Sequence, residues 1–222
     1  MNQFKRICLI TPPSPFLLDE RVFMHIGILK VASSLEAQGY EVDFLDLSGI
    51  ENYLKVVKDY CKTNQTYTFG ITASTPQVPF SVQIANTIKE TQPNSKLILG
   101  GPHVTLMHTA SKREIKKGLE HSDRATSDIN RLKELFDVLV CGDGEYTIFE
   151  ALKINEGIVD ADDRKSEHFL TNKQFSELPL PARHLIDVDS YKYTIEGKKS
   201  VSLIAQLGCP FKCSFCSGRT HH

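Results

Sequence analysis

The chain has 222 residues, of which 41% are hydrophobic and 24% are charged, and its formal net charge is −1. This length suits one full domain and part of a second, and the near-zero charge gives no electrostatic basis for binding nucleic acid or an anionic membrane surface. The first apolar run is too short for a signal peptide or a membrane span. Of the six cysteines only the last three cluster, which argues against a disulfide framework. We therefore expect a cytoplasmic protein with no membrane span.

Short apolar runs alternate with segments of helical periodicity along the first two thirds of the chain. The predicted strands are residues 5–10, 41–45, 67–72, 96–99 and 137–140. The predicted helices are residues 27–38, 50–61, 78–91 and about 145–155. This alternation predicts an α/β fold with a five-stranded parallel sheet, flavodoxin-like or Rossmann-like, in the strand order 2-1-3-4-5.

Four unusual loops follow the carboxyl ends of these strands. They are residues 11–25, 72–79, 100–105 and 141–145. Ligands of this architecture lie beyond the carboxyl ends of the strands, near the switch point between strands one and three. Four specialised loops at one edge of the sheet therefore predict a large ligand.

Two glycine motifs in these loops supply candidate site residues. Gly100-Gly101-Pro102-His103 follows strand four, where missing side chains let the backbone approach a ligand, although a tight strand-to-helix turn needs the same residues. In Gly142-Asp143-Gly144-Glu145, backbone N–H groups at a helix start can meet a phosphate, or Glu145 can simply offset the helix dipole. His103 is either a ligand contact or a histidine that faces solvent.

The three clustered cysteines predict a metal centre near the end of the chain. Cys209, Cys213 and Cys216 have the spacing C-x3-C-x2-C. Thiolates are the usual ligands of iron–sulfur clusters, and three of them leave one iron of a four-iron cube open to another ligand. Zinc, with one of the two terminal histidines as the fourth ligand, is the alternative.

Gly-Cys-Pro-Phe-Lys-Cys-Ser-Phe-Cys at 208–216 resembles the cluster loop of radical S-adenosylmethionine enzymes. Five further motifs extend the similarity to the cobalamin-binding subclass. They are Pro-Pro after strand one, Gly-Tyr-Glu-Val at strand two, Gly-Ile-Thr at strand three, Gly-Gly-Pro-His-Val-Thr after strand four and Gly-x-Gly-Glu after strand five. The resemblance implies that Cys209, Cys213 and Cys216 hold a 4Fe–4S cluster whose open iron binds S-adenosylmethionine, and that the first domain holds cobalamin.

The same resemblance implies which loop residues meet cobalamin. They are Thr72, Ser74, Thr75, Gly100, Gly101, His103, Val104, Gly142, Gly144 and Glu145. The Asp-x-His-x-x-Gly signature of methionine-synthase-like domains is absent from residues 11–27. The chain thus resembles the members that bind cobalamin with its tail displaced and no protein histidine on cobalt, and His25 is not a candidate cobalt ligand.

The activity implied by the resemblance is radical chemistry with methyl transfer. S-adenosylmethionine is cleaved to a 5′-deoxyadenosyl radical, which abstracts hydrogen from the substrate, and methylcobalamin delivers a methyl group, often to an unactivated carbon. Other members rearrange or cyclise their substrates. The expected partners are an unidentified small-molecule or peptide substrate and an electron donor for the cluster; no catalytic residue is assigned.

The domain plan expected from the sequence has three parts. Residues 1–155 are the cobalamin-binding domain, residues 156–189 a linker, and residues 190–222 a hairpin around Glu196-Gly197 and the start of a radical S-adenosylmethionine barrel. A complete barrel needs roughly 200 residues or more, so we expect an inactive fragment of a longer enzyme. Two alternatives stay open: a cobalamin carrier or sensor with a vestigial cysteine loop, and a flavodoxin-like nucleotide-binding protein with a terminal zinc site.

Overall fold

The computed structural model describes residues 5–118, 124–205 and 214. The strands are β1 (Arg6–Thr11), β2 (Glu41–Asp46), β3 (Thr68–Thr72), β4 (Lys96–Gly100), β5 (Val138–Cys141), β6 (Gly157–Asp160), β7 (Thr194–Ile195) and β8 (Lys198–Lys199). The α-helices are α1 (Ile26–Ala37), α2 (Tyr53–Thr63), α3 (Val78–Thr91), α4 (Pro102–Lys116), α5 (Arg124–Leu135), α6 (Gly144–Lys153) and α7 (Asn172–Glu177). None of these helices combines the length and the apolar character that a membrane span requires.

The main sheet is parallel and has the strand order β2-β1-β3-β4-β5-β6. The predicted α/β class and the predicted order of the first five strands are confirmed. The predicted strand count is corrected from five to six, because β6 pairs with β5 from Val138↔Gly157 to Cys141↔Asp160. This strand has only four residues, and the acidic run that follows it favoured an exposed linker over a strand. It lies at the edge of the sheet, where burial leaves a weaker pattern in the sequence.

The two faces of the sheet carry different helices. Strand side chains alternate between the faces, so Leu9 and Val140 pack with α1 and α6, whereas their neighbours Ile10 and Cys141 pack with α2, α3, α4 and α5. Helices α1 and α6 also pack against each other. The layer formed by α1 and α6 matters for function, because it leaves space over the middle strands.

The segment after β6 returns to the first domain and packs along α1. The Ala182 N–H donates to the Leu29 carbonyl at 3.0 Å, and Ala182 is buried against the α1 and α6 layer. Arg183 Nη2 donates to the Ser202 carbonyl at 3.0 Å, which holds the last described segment beside α1. The predicted linker is therefore a docked segment of the structure.

The predicted hairpin turn at Glu196-Gly197 is confirmed, but its strands β7 and β8 have only two residues each and are shorter than the predicted runs 191–195 and 199–205. The two strands are antiparallel, and the turn residues Glu196 and Gly197 have φ values of +50° and +75°. Two successive positive φ values are those of the type I′ turn that joins short hairpins, and Gly197 adopts such a value without steric cost.

Candidate cofactor site

A cavity of about 530 Å³ lies between the sheet and the layer formed by α1 and α6, and extends to the carboxyl ends of the strands. Its floor is built by four neighbouring strands. These strands contribute Leu9, Gly70, Ile98 and Val140. Helix α1 supplies Ile28 and Val31 to the wall, and α6 supplies Ile148. The volume and the mainly apolar wall are typical of a site for an organic cofactor.

Two glycines line the cavity away from the strand-end motifs. Gly70 interrupts the apolar run of β3, and a Cβ there would stand 2.7 Å from Leu9 Cδ2. Gly27 lies in the first turn of α1 and lines the cavity, and a Cβ there would meet no atom within 4 Å. Neither was a predicted site residue. A glycine in the interior of a strand often marks the close approach of a ligand, so Gly70 could have been found from this pattern alone.

Glycine is required at the strand ends for a different reason. Gly101 has a φ of +98°, and a Cβ there would stand 2.7 Å from the backbone nitrogen of Ala73. Gly142 has a φ of +83°, and a Cβ there would stand 2.6 Å from the carbonyl carbon of Ala161. Both positions need glycine because a neighbouring strand-end loop lies against them and the backbone is left-handed. They bring the loops of adjacent strands together and so shape the cavity mouth.

Six of the ten predicted cobalamin contacts line the cavity. They are Thr72, Gly100, Gly101, Gly142, Gly144 and Glu145. Ser74 and Val104 are outside the lining: the Ser74 hydroxyl donates to Gln77 Oε1 at 2.8 Å in the turn before α3, and Val104 is fully buried in the opposite hydrophobic layer. The structure thus gathers the glycine motifs into one site and separates these two residues from it.

His103 and Thr75 contact each other away from the cavity lining. His103 Nδ1 lies 3.1 Å from Thr75 Oγ1, and its Nε2 lies 2.8 Å from Asp128 Oδ2. The histidine is only 4% exposed, so the alternative of a solvent-facing side chain is wrong. Both ring nitrogens are bonded within the protein, which fixes the start of α4 against the β3 loop and α5. A cofactor contact of His103 or Thr75 stays a prediction.

An ion pair is buried in the cavity wall. Lys30 of α1 contacts Glu145 in the first turn of α6, and each side chain is 7% exposed. Lys30 Nζ also lies over the ring of Phe175 in α7, 4.7 Å from its centroid. The proximity of Glu145 to the start of α6 agrees with the predicted compensation of the helix dipole. Lys30 was not a predicted site residue, because a lone lysine in an amphipathic helix normally faces solvent.

Part of the chain that builds the cavity matches a known sequence family. Residues 21–118, which run from the loop after β1 to the end of α4, match the family model of the B12 binding domain. The resemblance to cobalamin-binding radical S-adenosylmethionine enzymes is confirmed. The matched range contains Gly27, Gly70, Gly100 and Gly101 of the cavity lining.

Two curated relatives extend the similarity beyond this domain. An uncharacterized methyltransferase, PH0819, of Pyrococcus horikoshii is 25% identical over 215 residues, which are 96% of this chain and 45% of that protein. The anaerobic magnesium-protoporphyrin IX monomethyl ester cyclase of Cereibacter sphaeroides is 25% identical over 84% of this chain and 30% of its own length. The chain therefore spans less than half the length of these relatives, which are enzymes of two kinds.

Two solved structures of the radical S-adenosylmethionine methyltransferase TsrM from Kitasatospora setae are also similar. The one with tryptophan and a S-adenosylmethionine analogue has 18% identity and a TM-score of 0.47, and covers 71% of this chain and 27% of that protein. The one with cobalamin and a 4Fe–4S cluster has 16% identity and a TM-score of 0.40, over 49% and 20% respectively.

The predicted cluster ligands Cys209, Cys213 and Cys216 lie outside the described residues. The structure does describe Ile204, five positions before Cys209, and Ile204 lines the cavity of the first domain. Within residues 5–118 and 124–205, no group of histidine, cysteine and carboxylate side chains is placed to hold a metal ion.

The other three cysteines are buried thiols within the first domain. Cys8, Cys61 and Cys141 are free and lie in the layer covered by α2, α3, α4 and α5. Burial raises the pKa of the Cys141 thiol to about 12 and that of Cys61 to about 11, and it raises the pKa of Cys8 well above its ordinary value. Since the thiolate is the reactive form, these residues should be inert in the folded protein.

We expect iodoacetamide at pH 8 to leave Cys8, Cys61 and Cys141 unmodified in the native protein and to label all three in denaturant. The folded thiols are both inaccessible and almost wholly protonated at this pH. Peptide mapping by mass spectrometry measures the modified fraction at each position. Labelling of Cys141 in the native protein at the denatured rate would show that the layer around β5 is not packed as described.

Proposed function

We propose that the chain binds cobalamin with the nucleotide tail in the cavity beneath α1 and α6, and that it is the cobalamin module of a radical S-adenosylmethionine methyltransferase. The observation that carries the proposal is the cavity itself, which Gly27 and Gly70 line without side chains, and at Gly27 no neighbouring atom requires a glycine. In our proposal residues 1–155, extended by β6, form this module, residues up to 189 the docked linker, and residues 190–222 the beginning of the catalytic domain.

The donor set and shape of the cavity suit the tail of a corrinoid. The aromatic base of the tail is largely apolar, and the inner wall offers Ile28, Val31 and Ile98 to it. Towards the mouth the wall becomes backbone and polar side chains, among them Thr72 and Thr105, which suit the sugar and phosphate of the tail. Cobalamin, when bound, supplies a cobalt centre that carries a methyl group.

The position of Ile204 supports a link between this cavity and the cysteine loop. Cys209 lies five positions after Ile204, and five residue steps reach at most about 18 Å when fully extended. Arg183 holds the backbone at Ser202, two residues before Ile204 in the cavity lining. We propose that Cys209, Cys213 and Cys216 hold a 4Fe–4S cluster that binds S-adenosylmethionine within this reach of the corrinoid.

The choice of methyl transfer over cyclisation follows the relative that is matched over more of this chain. The methyltransferase of Pyrococcus horikoshii is matched over 96% of the chain, against 84% for the cyclase. We propose that the substrate, a small molecule or a peptide, and the electron donor are bound mainly by residues beyond those of this chain, and that these 222 residues do not turn over alone.

The proposal predicts that the purified protein retains about one corrinoid per chain after anaerobic incubation with hydroxocobalamin and desalting. The apolar cavity and the loops at its mouth bind the tail, and the absorption spectrum should be that of the tail-displaced form. Circular dichroism establishes that the sample is folded. A folded protein that retains no corrinoid would contradict the proposal.

A variant with alanine at Cys209, Cys213 and Cys216 separates the corrinoid site from the cluster site. It should retain corrinoid like the parent protein and lose iron and sulfide after anaerobic reconstitution. Zinc without iron and sulfide in the parent protein would instead support the nucleotide-binding alternative with a zinc site. Iron and sulfide retained by the triple variant would remove the cysteines from the proposal.

A further inference from the structure

The ion pair of Lys30 and Glu145 is a buried charged pair in the wall of a mainly apolar cavity. Both residues are buried, and both line a cavity whose inner wall is otherwise apolar. Two other charged residues of the lining, Asp143 and Asp162, are partly exposed at the mouth. The pair therefore places buried polar donor and acceptor atoms in the wall of a mainly apolar site.

Burial of such a pair is costly unless its hydrogen-bonding capacity is used. Removing two charges from water costs several kcal/mol per ion, and the attraction between them repays this only when the remaining donors and acceptors are also bonded. A lysine ammonium has three donors and a carboxylate has about four acceptor positions. Within the described residues Lys30 Nζ contacts Glu145 and the ring of Phe175. The ammonium thus keeps capacity for a further acceptor in the cavity.

The neighbouring carboxylate selects the kind of acceptor. An anion such as a phosphate would meet Glu145 as well as Lys30, and the like charges would repel at this distance. A neutral acceptor receives the hydrogen bond of the ammonium without that repulsion. An aromatic ring nitrogen is such an acceptor, and its ring suits the apolar walls formed by Val31 and Ile148.

We propose that Lys30, oriented by Glu145, donates a hydrogen bond to the ring nitrogen that the tail base of cobalamin releases from cobalt, and so selects corrinoids whose tail carries such a nitrogen. This inference rests on the proposed function, in which the displaced tail occupies the cavity. A displaced base has lost the cobalt bond to its nitrogen, and a buried nitrogen without a partner would weaken binding. Lys30 is then a specificity-determining residue.

The test compares cobalamin with a phenolyl cobamide, whose tail has an aromatic ring but no acceptor nitrogen. Dissociation constants are measured by absorption titration for the parent protein and for Lys30→Met/Glu145→Leu, which removes both charges together and so leaves no unpaired ion. The ratio of the dissociation constant of cobalamin to that of the phenolyl cobamide should be roughly 10- to 100-fold higher for the double variant than for the parent protein. Cobalamin must release its tail from cobalt in both proteins, so this free-energy cost cancels when the ratio for the variant is compared with the ratio for the parent.

Ile28→Ala is the matched control, because it enlarges the same cavity without touching the pair. It should weaken binding of both corrinoids and leave their ratio unchanged. If the first double variant does not fold, Lys30→Met/Glu145→Gln serves in its place. In the parent protein, the nitrogen chemical shift of ¹⁵N-labelled cobalamin reports a hydrogen bond at the tail nitrogen without any variant.

The outcomes separate the inference from the proposed function. A folded parent protein that binds neither corrinoid contradicts the proposed function. A protein that binds cobalamin while the double variant keeps the parent ratio, or while the tail nitrogen shows the shift of an unbonded base, contradicts only the inference. The pair would then serve to join α1 to α6.

Discussion

Replacing Gly70 by valine is expected to abolish corrinoid retention while the protein stays folded. Valine favours the extended backbone of β3 and packs well in strands. Its first side-chain atom would stand 2.7 Å from Leu9 Cδ2, the end of a side chain that can move aside, and its methyl groups would then fill the cavity floor. Because the tail would have no space, the dissociation constant of cobalamin should rise by about 100-fold or more, the loss of about 3 kcal/mol of binding free energy.

Two further substitutions on β3 make this result specific to the cavity. Gly70→Ala adds one methyl group and should weaken binding less than valine does. Phe69→Leu changes the opposite face of the same strand, where Phe69 is fully buried, and should lower the melting temperature without preventing retention. Absorption spectroscopy after desalting measures bound corrinoid, and circular dichroism measures folding. A folded Gly70→Val protein that retains one corrinoid per chain would exclude the cavity as the site of the tail.

The sequence predicts this sheet well because its inner strands are short, buried and separated by amphipathic helices. Burial on both faces gives continuous apolar runs such as that of β4, and these runs, with crossover rules, determine the order of the first five strands. β6 was missed because an edge strand of four residues lacks such a run. The docked linker was missed because its contact at Ala182 depends on the position of α1 in space.

The sequence predicts the loops that surround the candidate site, but not the residues inside the cavity. Glycine motifs at strand ends indicate the edge of the sheet where the cavity opens, and six of the residues chosen from them line it. Gly101 and Gly142 also face neighbouring backbone, which requires glycine whether or not a ligand is bound. His103 also lies beside the predicted loops, but its ring turns towards Asp128, which is 25 residues away in the sequence. Such a direction follows from packing and is not encoded in local spacing.

Gly142→Ala is expected to destabilise the protein by about 3 kcal/mol or more, combining a left-handed backbone with a steric clash. The φ of +83° alone costs an alanine about 1–2 kcal/mol. The added Cβ would also stand 2.6 Å from the Ala161 carbonyl carbon and 2.7 Å from the Asp162 backbone nitrogen, and backbone atoms cannot move aside as a side chain can. The loops after β5 and β6 would therefore have to separate.

Gly39→Ala is the control that carries the backbone strain without the clash, because Gly39 has a φ of +76° and a Cβ there would meet no atom within 4 Å. It should cost only the backbone strain, about 1–2 kcal/mol, and should leave corrinoid affinity unchanged. Urea denaturation of both variants gives the two free energies of unfolding, and their difference is the energy of the contact between the loops. Since Gly142 and Asp162 both line the cavity, that contact also sets the width of its mouth, and Gly142→Ala should weaken corrinoid binding together with stability. Equal destabilisation by the two variants would mean that the loops are not in contact and that the mouth is wider than the structure describes.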